Sequence, residues 1–74
     1  MARLPVLSAS DVVRALEVLG WEVARSGNHI ILVRDGSNVS LSVPNHAEVA
    51  RGTLRRLIRD AGVTAAEFTE AHTS

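Results

Sequence analysis

A chain of 74 residues with 46% hydrophobic content holds one small domain, taken here as 1–74, and its lack of cysteine excludes disulfides and thiolate metal sites. Its formal net charge is zero and all eight basic residues are Arg, four of them within 51–59, where there is no acid. No run nears the roughly 20 apolar residues that span a bilayer, and no signal-peptide pattern follows Met1–Pro5, so a cytoplasmic protein without a membrane role is expected.

Residues 1–7 read as a lead-in containing Pro5. Ser8 or Ser10 can cap a helix, with Asp11 well placed at its positive end. Val12, Leu16 and Leu19 recur at helical spacing, Val13 and Ala15 widen that face, and Gly20 supplies the stop. The spacing predicts a helix from Ser8 to Leu19.

The period then changes to two. Trp21, Val23 and Arg25 alternate with Glu22 and Ala24, and Trp21 reads as an anchor against a helix. His29-Ile30-Ile31-Leu32-Val33 is apolar on both faces, as suits the middle strand of a sheet. Val39 to Val43 alternates with one wet face and stops at Pro44. Gly27-Asn28 and Gly36-Ser37 each suit a two-residue hairpin loop.

Those two loops fix a register in which Leu32 lies opposite both Val23 and Leu41. The core face is then Val23, Ile30, Leu32, Leu41 and Val43, and the open face is Ala24, His29, Ile31, Val33, Ser40 and Ser42. A three-residue loop, Ser26-Gly27-Asn28, would instead turn the first pairing over and carry His29 to the helix side.

After Gly52-Thr53, the positions Leu54, Leu57, Ile58 and Ala61 form a second helical face closed by Gly62. Thr64-Ala65-Ala66-Glu67 is a capping-box pattern for a short last helix ending near His72. The order α-β-β-β-α with a terminal helix is an α+β class, a three-stranded antiparallel sheet with helices packed on one face.

Few residues can carry chemistry. His29 starts the middle strand beside Arg25, Ser26 and Asn28, and an imidazole can exchange a proton near pH 7. The plain alternative is a hydrogen-bonded surface histidine. Residue 44 should approach position 29, which would bring His46 near His29 as a paired acid and base; otherwise His46 is a solvated loop residue. No third side chain has the spacing to make a metal site with these two. Arg51, Arg55 and Arg59 form one stripe along a helix, either a rail for phosphates or a solvated face. No phosphate-cradling Gly-rich loop, serine-hydrolase motif or carboxylate pair is present.

Four segments have a familiar order. Leu16-Glu17-Val18-Leu19-Gly20-Trp21, Arg25-Ser26-Gly27-Asn28-His29, Val43-Pro44-Asn45-His46 and the run from Arg51 to Gly62 together resemble the HicA (YcfA-like) toxin family. The likeness covers about Ser8 to Val63. It implies a double-stranded-RNA-binding-domain-like fold and a metal-independent endoribonuclease toxin that cleaves mRNA without a cofactor. A HicB-like antitoxin would silence it, the toxin being a monomer alone or a hetero-oligomer with that partner. The family's Gly-Ser-His motif maps onto Gly27-Asn28-His29, with Asn at the Ser position. His29 is then the catalytic group, with His46, Asn28 and Ser26 as supporting candidates. Arg25, Arg51, Arg55 and Arg59 would bind RNA, and Ile31 and Val33 would meet the antitoxin. The competing reading is a non-catalytic module on the same fold that binds RNA or the antitoxin.

Overall fold

Residues 6–73 are described by a computed structural model; the Met1–Pro5 part of the expected lead-in lies outside them. Ser8 adopts extended backbone, and its hydroxyl accepts the Asp11 N–H at 3.2 Å, which starts α1 (Ala9–Val18). Gly20 at φ 100° ends that helix in the left-handed region, as a residue without Cβ does most readily. The chain continues through β1 (Glu22–Arg25), β2 (His29–Val33), β3 (Leu41–Pro44), α2 (Arg51–Asp60) and α3 (Ala65–His72). Thr64 and Glu67 make the complete capping box of α3: the Thr64 hydroxyl accepts the Glu67 N–H, and the Glu67 carboxylate accepts the Thr64 N–H.

The sheet is antiparallel with order β1-β2-β3, so His29 begins its middle strand. Leu32 faces both Val23 and Leu41, and Ile30 faces Val43, as the two-loop register requires. Leu32, Leu41 and Val43 are buried under the helices, together with Val12, Leu16, Trp21, Leu54, Leu57, Ile58 and Phe68. The helices cover this face of the sheet. His29, Val33 and Ser42 on the other face are exposed, and Ile31 is half-buried. The α+β class with helices on one face is therefore present.

Three details of the hairpins differ from the sequence expectation. The register between β1 and β2 shifts between Val23 and Arg25, so Arg25 lies opposite Ile31 and Ala24 is the extra residue of a bulge. Gly27 and Asn28 both keep negative φ, which excludes the primed two-residue turn expected there. In the second hairpin, the Ser37 N–H donates to the Arg34 carbonyl at 3.1 Å, and Gly36 sits at φ 82°. The turn thus centres on Asp35-Gly36, one residue earlier than Gly36-Ser37.

Three burial and boundary expectations also change. The register predicts Val23 in the core, yet it is 39% exposed, lying on the edge strand β1. β3 begins at Leu41, leaving Val39 exposed and Ser40 outside the strand. α2 begins at Arg51, so Gly52 and Thr53 lie within its first turn. Trp21 is buried as an anchor, and the Arg34 guanidinium lies 4.9 Å from its ring centroid.

Candidate active site

Direct partners across an antiparallel pair put their side chains on the same face, and residues two apart on a strand share a face. Arg25, Ile31 and Ser42 therefore form a row across the uncovered side of the sheet. His29 and Val33 flank Ile31 along β2, and Glu22, opposite Val33, closes the far end of the patch. Simple alternation from Trp21 would have put Arg25 on the helix side. The one extra residue at Ala24 turns it to the side of His29. An alternation count cannot see such a bulge, and no Gly or Pro at position 24 signals it.

Arg25, Ser26, Gly27, Asn28, His29 and Ile31 line one shallow depression of about 370 Å³. It joins an imidazole, a guanidinium, an amide and a hydroxyl at the mouth of the first hairpin. All of these except Ile31 are exposed, so an extended polymer can reach the histidine without any opening of the fold. Imidazole can move a proton and guanidinium can pair with a phosphate oxygen. Among the described residues, no three His, Asp or Glu side chains gather as metal ligands do.

His46 is not among the residues that line this depression. It sits exposed in the loop after β3, where its carbonyl accepts the Ala9 N–H at 3.0 Å, one of the donors at the start of α1. The same loop reaches the other way through Asn45. The Asn45 N–H donates to the Asn28 carbonyl at 3.0 Å, and its Nδ2 donates to the Gly27 carbonyl at 2.9 Å. Asn45 was absent from the sequence-based candidates, and its place in the Val-Pro-Asn-His segment was the one signal that could have raised it.

Arg51, Arg55 and Arg59 are exposed along α2, opposite its buried Leu54, Leu57 and Ile58. They do not line the depression. Arg59 lies 3.7 Å from the Asp60 carboxylate, with both side chains largely in solvent, so that pair contributes little to stability. The stripe belongs to the helical side, and Arg25 is the arginine beside His29.

Residues 9–63 match the family model described as "HicA toxin of bacterial toxin-antitoxin". No curated protein matches the chain.

Proposed function

The chain belongs to the HicA toxin family of bacterial toxin–antitoxin systems, and from that premise we propose that it is a metal-independent endoribonuclease that cleaves mRNA. The observation that carries this reading is the shared depression of His29, Arg25 and Asn28 on the uncovered face of the sheet. In the proposed reaction the RNA 2′-oxygen attacks the adjacent phosphorus while the His29 imidazole takes its proton. The bond from phosphorus to the 5′-oxygen breaks, and the imidazolium returns a proton to the departing oxygen. The products are a 2′,3′-cyclic phosphate and a 5′-hydroxyl. Arg25 stabilises the extra negative charge on the phosphorane oxygens, a task suited to a guanidinium that pairs with phosphate. Ser26 and Asn28 offer hydrogen bonds to the same phosphate or its ribose. His46 supports from the neighbouring loop rather than acting as a paired acid. A HicB-like antitoxin covers the site in the silent complex, and both partners act in the cytoplasm.

The test is induced expression of the chain and of His29→Ala, reading growth and mRNA integrity together. The wild type should arrest growth and fragment mRNA, and the variant should do neither. Purified protein should cleave RNA equally well in EDTA and leave cyclic phosphate ends. Equal activity of the two chains, or activity lost in EDTA and restored by magnesium, would overturn the mechanism. Tight RNA binding without cleavage would favour the non-catalytic module.

A further inference from the structure

The segment that precedes His29 is not held by packing. Residues 25 to 29 are all exposed, and a Cβ built on Gly27 would meet nothing within 4 Å. Gly27 and Asn28 also lack the left-handed backbone of a tight primed turn, which would have fixed their shape locally. Between Arg25, paired with Ile31, and His29, paired with Pro44, the segment is tied by Asn45, which bonds two consecutive carbonyls, Asn28 through its N–H and Gly27 through its Nδ2.

Resting on the ribonuclease reading above, we propose that Asn45 is a positioning residue for His29. From outside the site it fixes the Gly27-Asn28 peptide units that lead into β2, and so sets where the imidazole stands. Asn45 is itself braced. The His46 N–H donates to the Pro44 carbonyl at 2.8 Å, and the His46 carbonyl accepts from Ala9 at the start of α1. Three residues further on, the Val49 N–H donates to the Leu7 carbonyl at 2.7 Å. A continuous set of hydrogen bonds therefore runs from the first helix through residues 45–46 to the reactive turn.

Committing both carbonyls has a second effect. A trans peptide points its N–H opposite to its carbonyl. With the Gly27 and Asn28 carbonyls turned toward Asn45, the N–H groups of Asn28 and His29 point away from Asn45. Asn45 thereby sets the direction of two backbone donors beside the histidine, where a phosphate oxygen would gain negative charge.

The backbone bond survives any side-chain change except proline, so Asn45→Ala removes only the Nδ2 contact. The experiment measures kcat and KM on an RNA oligonucleotide for wild type, His29→Ala, Asn45→Ala and Asn45→Asp. Circular dichroism establishes the folded fraction of each. Asn45→Ala should lower kcat by roughly 10- to 100-fold, the scale set by an ångström-size misplacement. KM should change by less than about threefold, since phosphate contacts are retained. Asn45→Asp keeps the shape but, ionised, has no donor for the Gly27 carbonyl. Its kcat relative to wild type should rise as pH falls toward about 4, where the carboxyl regains an O–H.

An active wild type, an inactive His29→Ala and an Asn45→Ala with unchanged kcat would overturn this proposal alone. A kcat loss that only follows a loss of folded protein would also overturn it, making Asn45 a structural residue. A flat pH ratio for Asn45→Asp, with that variant folded, would do the same. A wild type that cleaves no RNA would overturn both this proposal and the ribonuclease reading.

Discussion

His29 and Leu32 lie three residues apart on one strand and have opposite expected costs of truncation. Leu32 is fully buried beneath the helices, and its removal to Ala should destabilise the fold by about 2–5 kcal/mol. His29 is exposed at the strand end, so His29→Ala should cost less than about 1 kcal/mol while abolishing cleavage. Urea titrations of the two variants check this directly. Comparable losses would place the histidine in the packed interior, against the register seen here. The same residue scale explains what was legible at the site. His29, Asn28 and Ser26 are adjacent in sequence, so one turn brings them together without help from the rest of the chain. Arg25 needed a bulge to join them. The partnership of Asn45 with Gly27 bridges 18 positions, which no local pattern reports.

At the scale of elements, each helix end obeys local rules and can be tested locally. Asp11 in the first turn of α1 is under opposing influences. Desolvation raises its pKa, but hydrogen bonds from Arg14 and Ser8 and the Arg14 charge outweigh it and hold the carboxyl below the ordinary 3.8. A lowered folded pKa means that the unfolded chain binds more protons near that pH. Asp11 therefore stabilises the fold above its ordinary pKa, and that contribution is lost as pH falls through the lowered value. Asp11→Asn should be less stable than wild type at neutral pH, and the difference should vanish in acid. Thermal melts at several pH values test this, and a pH-independent difference would contradict it. The α2 stripe makes a different prediction. If Arg51, Arg55 and Arg59 contact phosphates, their triple replacement by Ala should weaken RNA binding and flatten its salt dependence by up to about three contacts. An unchanged salt slope would make the stripe a solvated face or a contact for the antitoxin.

For the whole molecule, the outstanding feature is a sheet that the described residues cover on one side only. HicA-family toxins act with an antitoxin, and the open face offers Ile31 and Val33 between Glu22 at one end and Arg25 with His29 at the other. Val33 is 38% exposed. An apolar patch with charged ends gives a protein partner both burial and orientation. Occupying it would shield His29 from RNA with no change in the toxin's shape. Val33→Glu should therefore release the cognate antitoxin in co-purification while circular dichroism stays native. Undiminished binding by the folded variant would move the interface to the helical side.

The sequence by itself determined the elements, their order and which residues form most of the core. Helical spacing, the Ser8 cap, the Thr64 capping box and the glycines at positions 20 and 62 act over a few residues, so they are readable without the fold. It also determined that Leu32 points inward, because two independent hairpin loops demanded the same register. Even where those turns formed differently, the pairing of Leu32 with Val23 and Leu41 held, since burying that side chain dominates the choice of strand face. Tertiary structure alone decided the finer points: that Val23 lies at an edge, that Arg25 shares the face of His29, and that His46 braces a helix start rather than lining the depression. Each depends on contacts between segments distant in sequence. A one-residue bulge changes a side chain's face at small energetic cost, and only the assembled sheet fixes where it falls.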